Sequence, residues 1–323
     1  MRRREFIRLL GGAAAWPPAA QAQPSAMPVI GYLTAGKFME GESAGFQQGL
    51  KETGLVEDRD FAIEYHSTSG QLSRLPAIIA DVVARRVTMI VAVSDPYAQA
   101  AKAATTTIPI VFIGGGDPVR IGLVTSLNRP SGNVTGVTVL NVEIAAKRLQ
   151  LLHQLIPTAP SVSALLDPAT PNFEIDSKNL MSAGELLGLQ VHILQAGNPA
   201  EVGSALEEIA QGQLEPVVVG PSPFFNIHSQ QLAALMVRHR LPAIFQTREF
   251  VAAGGLMSYG GSLLDVFRIA GTYTGRILKG DRPGSLPVQQ ASKFEFFINL
   301  KTAKALDLAV PPTLVAVADE VIE

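Results

Sequence analysis

Short β-branched runs alternate with longer segments of helical period from residue 29 to residue 245. Val29 to Leu33 is a continuous apolar run of strand length. Gly41 to Glu52 follows with Phe46 and Leu50 four apart on one face, and Gly54 lies beyond it as a C-cap, so this segment is predicted to be a helix. A strand over Phe61–Tyr65 comes next, then a helix over Ser73–Arg86 that is apolar at Ile78, Ile79, Val82 and Val83. Thr88–Val93 reads as a strand, Pro96–Ala104 as a helix and Ile110–Ile113 as a strand. The pattern then restarts. Helices are predicted over Glu143–Ile156, Phe173–Leu187, Ala200–Gln211 and Ile227–Arg240, and strands over Val162–Leu166, Gln190–Leu194, Val217–Val219 and Ala243–Phe245. Strands separated by helices of this length are the βαβ signature of a parallel sheet.

Between the two units, Gly132–Thr138 is polar and Gly-rich with alternating Val, and reads as an extended connection. A second extended segment, Leu286–Gln290, follows a helix over Leu263–Lys279. The predicted fold class is therefore α/β: two Rossmann-like, doubly wound lobes joined by a three-strand hinge. The passages between lobes are expected near Thr138–Asn141, Gln246–Arg248 and Pro287–Gln290. This assigns residues 28–138 plus 249–285 to an N-terminal lobe and 141–246 plus 291–323 to a C-terminal lobe. Two hinged lobes can close on a ligand. Ligands of open α/β sheets lie outside the carboxyl ends of the strands, so the loops directly after each strand are the candidate site.

Composition agrees with a large folded core: 47% of the 323 residues are hydrophobic and 17% charged. The start of the chain differs from the rest. Arg2, Arg3, Arg4 and Arg8 are followed by a short apolar stretch, Leu9–Trp16, and by the small-x-small site Ala20-Gln21-Ala22. Residues 1–22 read as an export signal cleaved near Ala22. Within it, Arg3-Arg4-Glu5-Phe6-Ile7-Arg8 has the twin-arginine pattern. The apolar stretch falls short of the roughly 20 residues of a spanning helix, so the protein is expected to be periplasmic and not membrane-embedded.

Removing four Arg and one Glu with the signal from 26 basic and 28 acidic residues leaves 22 and 27, a net charge of −5. That balance gives no reason to expect nucleic acid as a partner. There is no Cys, which rules out thiol catalysis and thiolate metal sites. His66, His153, His192, His228 and His239 are scattered without ligand spacing, so no metal is expected.

The loops after the strands are rich in Gly, Pro and small hydroxyls. They hold Thr34 and Phe38 after the first strand, Ser94 and Asp95 after the third, and Gly114-Gly115-Gly116-Asp117 after the fourth. In the second unit, Asp167–Asn172 and Gly220-Pro221-Ser222-Pro223-Phe224 hold the same position. Such loops turn backbone N–H groups and hydroxyls toward a cleft, which suits a carboxylate or a neutral polar ligand. Ser94, Asp95 and Asp167 could equally cap the helices they precede. The glycine run lacks the G-x-G-x-x-G spacing and has no following Lys, so it is not a nucleotide loop. Gly220-Pro221-Ser222-Pro223-Phe224 is not G-x-S-x-G, and no catalytic triad, paired carboxylates or cofactor site stands out. Asp117 and Glu249 are the acids placed to meet a ligand ammonium. Thr34, Ser94 and Ser222 would meet a carboxylate or hydroxyl, and Phe38 and Phe224 would enclose an apolar group. Gly115, Asn141, Asn172 and Gly220 complete the candidate set.

Several stretches together carry a resemblance. They are Ala103–Phe112 (AATTTIPIVF) running into Gly115–Val119 (GGDPV), Asn128–Val137 (NRPSGNVTGV), Arg248–Gly260 (REFVAAGGLMSYG), Gly275–Gly280 (GRILKG) and Ile298–Leu306 (INLKTAKAL). In these the chain resembles the ABC-transporter substrate-binding protein family that includes tryptophan- and tyrosine-type binding proteins, over essentially its whole mature length. The resemblance implies a type I periplasmic binding protein with one small molecule in its cleft, no cofactor, and no catalysis. The family's Gly-Asp-Pro turn falls on Gly116-Asp117-Pro118. Its Asn-Pro turn stands here as Asp167-Pro168, an acid where a neutral amide is usual. The expected function is solute capture for an ABC permease by a monomer, the ligand being an amino acid or related carboxylate. A ligand-sensing module for a receptor, or an exported enzyme on the same scaffold, are the alternatives.

Overall fold

The computed structural model describes residues 27–36, 40–139, 141–211 and 215–323. The expected export signal and Phe38 lie outside the described residues, as does the side chain of Asn141. In chain order the first half holds β1 (Val29–Thr34), α1 (Glu40–Glu52), β2 (Ala62–Ser67), α2 (Leu75–Ala84), β3 (Met89–Val93), α3 (Asp95–Ala104), β4 (Ile110–Gly114) and β5 (Val134–Thr138). The second half begins with α4 (Asn141–Leu155), β6 (Ser161–Leu166), α5 (Phe173–Leu187), β7 (Gln190–Gln195), α6 (Pro199–Gln211), β8 (Val217–Val219), α7 (Pro223–Ile227), α8 (Ser229–Arg238) and β9 (Ala243–Phe245). It ends with α9 (Arg248–Ala252), β10 (Met257–Gly261), α10 (Leu263–Leu278), β11 (Gln289–Gln290), β12 (Phe294–Asn299), α11 (Leu300–Ala305), α12 (Pro312–Ala316) and β13 (Glu320–Ile322).

These strands form two sheets. The first runs β11-β5-β4-β3-β1-β2 and is parallel throughout. The second runs β13-β12-β10-β9-β8-β6-β7, with β10 and β12 its antiparallel pair. The inner strands are buried on both faces, as the continuous apolar run Met89–Val93 requires; in Ser161–Leu166 the two buried serines donate to the Glu215 carboxylate. Each sheet separates two apolar clusters, one under each layer of helices.

Two expectations are corrected. Residues 134–138 are not a free connection but a fully buried strand beside β4. Its polar residues are satisfied from outside the sheet: the Thr135 hydroxyl donates to the Leu286 carbonyl (2.8 Å) and that of Thr138 to the Gly116 carbonyl (2.6 Å). Residues 249–261 do not belong with the first lobe, because β10 pairs with β9 and β12 in the second sheet. The chain crosses back between β10 and α10, not at Gln246–Arg248. Helix α10 then lies along α1 of the first lobe, with Val266, Phe267 and Ala270 in that lobe's core.

The passages between lobes therefore follow β5, β10 and β11, and they meet. A Cβ on Gly261 would stand 2.6 Å from Val139 Cγ1 and 3.4 Å from the Ala291 Cβ. One residue from each passage thus converges on a single point, where only a glycine leaves room for the other two.

Candidate functional site

The carboxyl ends of both sheets face a cleft of about 710 Å³, including its open mouth. Its apolar wall is Val93, Ile113, Val139, Leu263 and Phe267. Glu42 and Asp95 are the acids in its lining, and no Lys, Arg or His is present among the described lining residues.

The turn after β3 is the most unusual piece of backbone here. Ser94 adopts φ 87° and ψ 155°, a conformation that side chains other than glycine's avoid. It sits at the N-cap of α3 yet makes no side-chain capping bond. Asp95 follows, 6% exposed. Its Oδ2 accepts from the Gly116 N–H (2.9 Å) and, across the cleft, from the side-chain amide of Asn172 (2.8 Å). Burial pushes the Asp95 carboxyl above the ordinary aspartate range, against the pull of the Asn172 amide and of the Gly116 and Gly115 N–H groups.

The glycine run after β4 has its reason in this contact. A Cβ on Gly114 would stand 2.2 Å from Asp95 Oδ1, and one on Gly116 would stand 2.5 Å from both ends of the Asn172 amide. The run therefore makes room for an aspartate and an asparagine from opposite lobes.

Four polar atoms at the cleft are buried and have no hydrogen-bond partner among the described residues: Ser94 Oγ, Asp95 Oδ1, Gln246 Oε1 and Thr247 Oγ1. A buried polar group without a partner costs about 1–3 kcal/mol, so a cluster of them marks a surface built to be covered by something polar. Gln246 is held in place by donating from Nε2 to Asn226 Oδ1 (2.7 Å).

Behind Asn172 lie two buried ionisable side chains, Arg148 and Asp176, that feel each other's charge. Arg148 of α4, fully buried, donates from Nε to the Tyr259 carbonyl (2.7 Å) in β10. Asp176, one turn along α5 from Asn172, is pushed up to about 7 by burial, with Arg148 pulling it down and Asp95 adding to the rise. Burial lowers Arg148 to about 10.

Of the candidates read from the sequence, Ser94, Asp95, Gly115, Asn172 and Ser222 line this cleft together. The others have different surroundings. Asp117 closes its own turn, accepting at Oδ1 from the N–H groups of Val119 (2.9 Å) and Arg120 (3.2 Å). Asp167 has each oxygen engaged within its own lobe, by the Ala169 N–H (2.9 Å) and the Ser222 hydroxyl (2.5 Å). Thr34 is buried at the end of β1. Gly220 sits against Leu166 at the end of β8. Phe224 packs on Phe225 and His228 within the second lobe. Glu249, at the first turn of α9, lines an adjoining pocket with Gln246, Thr247 and Leu263, and its Oε2 is likewise buried without a hydrogen-bond partner among the described residues. Asn141 opens α4.

Sequence reading missed Glu42, Asn226, Gln246 and Thr247. Gln246 and Thr247 directly follow β9, so the rule applied to the other strands would have found them. Glu42 and Asn226 lie on helices, where nothing local marks them.

Among the described residues no group of three or more His, Asp or Glu could hold a metal ion, and no helix is long and apolar enough to cross a membrane.

The chain matches the family model of ABC transporter substrate binding proteins over residues 33–322. A tyrosine-binding protein of Clostridioides difficile is 26% identical over 281 residues, covering 86% of this chain and 80% of its own length. A solved protein from Vibrio cholerae superposes with a TM-score of 0.83 at 25% identity, covering 91% of this chain and 99% of its own. An ABC domain from Streptococcus pneumoniae, solved in complex with L-Trp, gives 0.83 at 24% identity, covering 92% and 100%. The two-lobed architecture is the type I periplasmic binding fold. With its sheets, hinge and cleft arranged in this way, the chain belongs to the ABC transporter substrate binding protein family.

Proposed function

We propose that this protein is the exported, periplasmic receptor of an ABC importer and captures an amino acid, with an aromatic one the first candidate, by closing its lobes. It acts as a monomer, delivers its ligand to a permease and catalyses no reaction. The observation that carries this reading is Asp95: a buried carboxylate in the cleft, one oxygen engaged by both lobes and the other without a partner among the described residues. A ligand ammonium supplies the missing donor. Glu42 in the same lining makes the cleft electronegative and favours that end of a zwitterion. The ligand carboxylate meets the hydroxyls of Ser94 and Thr247, and its side chain lies against Leu263 and Phe267. The tyrosine-binding and L-Trp-bound relatives point to the same ligand class. Closure follows from contacts that only the closed form makes, among them the bond from Asn172 to Asp95.

The test is a thermal-shift screen of the mature protein against L-tyrosine, L-tryptophan, other amino acids, small carboxylates and sugars. A ligand at about 100 times its Kd adds roughly 2.7 kcal/mol of stability. Stabilisation by an amino acid but not by its N-acetyl derivative supports the ammonium role of Asp95. Stabilisation only by sugars or by ligands without an amine overturns it.

A further inference from the structure

Away from the cleft lining, one side chain of the second lobe rests on bare backbone of the first. Ile227 is the last residue of α7. Its Cγ2 lies 2.8 Å from where a Cβ on Gly36 would be, and its Cδ1 lies 2.2 Å from where one on Gly70 would be. Gly36 follows β1 and Gly70 lies just beyond β2, so both belong to the first lobe. Gly70 also has φ +77°, which other residues adopt only with strain. Two glycines therefore form a socket, and a branched apolar side chain from the opposite lobe fills it. Ile227 remains 36% exposed and is not a member of any of the four core clusters. It can leave the socket without opening either lobe's interior.

We infer that Ile227, seated on Gly36 and Gly70, is an affinity-determining latch: it stabilises the closed form from outside the cleft. This rests on the closure reading above. Apparent affinity scales with the population of the binding-competent state, so a contact present only when the lobes are closed tightens binding of any cleft ligand. Loss of the partly covered side chain in Ile227→Ala is expected to weaken binding about tenfold and to speed dissociation, since removing most of a buried aliphatic side chain has an effect of that order. The melting temperature of the free protein should hardly change, whereas a merely structural role would lower it.

The interlobe nature of the contact allows two stricter tests. Gly36→Ala crowds Ile227 and should weaken binding in the natural background, yet be almost silent when combined with Ile227→Ala. The second test needs no ligand. A Cβ on Gly36 would stand 3.6 Å from the Ile227 Cβ, within the range of about 3.5–4.5 Å that a disulfide spans. The chain has no cysteine, so in the double variant Gly36→Cys/Ile227→Cys every thiol reports this pair.

Mild oxidation is expected to give an intramolecular cross-link, formed faster with L-tyrosine or L-tryptophan present. No cross-link under any condition, or Ile227→Ala with unchanged affinity and dissociation, overturns the latch. A cross-link that forms at a rate neither amino acid alters, in a protein neither stabilises, supports the latch and counts against the amino-acid reading instead.

Discussion

The turns after β3 and β6 each place an aspartate just past the end of a strand, one in each lobe, and both aspartates are buried. Asp167 of the second lobe has an engagement for each oxygen, the Ala169 N–H on one and the Ser222 hydroxyl on the other. Asp95 of the first lobe has two donors on one oxygen and none among the described residues on the other. The backbone differs in the same direction. Ser94 is held at φ 87° beside Asp95, whereas Ser222 is an ordinary N-cap that accepts from the N–H groups of Phe224 and Phe225. A buried acid whose acceptors are filled from its own lobe holds that lobe together. One with an acceptor left over, on strained backbone at a cleft, is available to a ligand.

The largest expected effect separates the two acids by what each loses. Asp95→Ala should weaken amino-acid binding by about 100-fold or more, since truncating one side of a buried charged pair costs roughly 2–5 kcal/mol. The fold should lose about 2–3 kcal/mol as well, because the buried Gly116 N–H and Asn172 amide lose their acceptor, so it is the loss of affinity that sets Asp95 apart from Asp167. Calorimetric titration with L-tyrosine or L-tryptophan reads the first effect and denaturant unfolding the second.

Acid should have opposite consequences at this residue. Its folded pKa is raised by burial, so in the free protein its contribution to stability is complete below the unfolded value and is lost as pH rises through the folded one. Ammonium binding instead needs the ionised form. Affinity should therefore fall, on acidification, at a pH above the ordinary aspartate range, and Asp95→Asn should flatten that profile.

Asp167→Ala should act on stability alone, costing about 2–3 kcal/mol through the two donors it strands in a buried place. Ser222→Ala should be strongly non-additive with it, since the two share one hydrogen bond. If Asp167→Ala lowered affinity and left the unfolding midpoint unchanged, the contrast between the two acids would be wrong.

Ser94→Gly should split the two quantities at a single position. Relief of the positive φ should add up to about 1 kcal/mol of stability. Loss of the hydroxyl should weaken binding about tenfold, as removal of one hydrogen bond to a charged group would. Equal stability and equal affinity in this variant would mean that the turn is neither strained nor in contact with the ligand.

Much of this architecture was legible in the chain because it is local. The strand and helix periods from Val29 to Phe245 lie within single windows, and β1, α5 and β9 fall close to where the periodicity puts them. What the chain hides is decided at long range. The segment 134–138 looks like a linker because Thr and Gly alternate with Val, and only partners at Leu286 and Gly116 make those threonines tolerable inside a sheet. Nothing in Met257–Gly261 says which sheet it joins, and pairing with Phe294–Asn299 decides it. Asp95 and Asp167 obey the same local grammar of strand, acid, proline. Their roles part through Asn172, 77 residues from one, and Ser222, 55 residues from the other.

Asp117 gives the smallest and sharpest check on that reasoning. In sequence it stands in the family's Gly-Asp-Pro turn and is, with Glu249, one of the two acids placed to meet a ligand ammonium. In the fold its carboxylate closes its own turn by accepting from Val119 and Arg120. Asp117→Ala should then cost about 0.5–1 kcal/mol, as loss of a local side-chain-to-backbone cap does, and leave amino-acid affinity within twofold. A tenfold loss of affinity with unchanged stability would move the ammonium site from the turn after β3 to the turn after β4. The spare oxygen of Asp95 would then need another explanation.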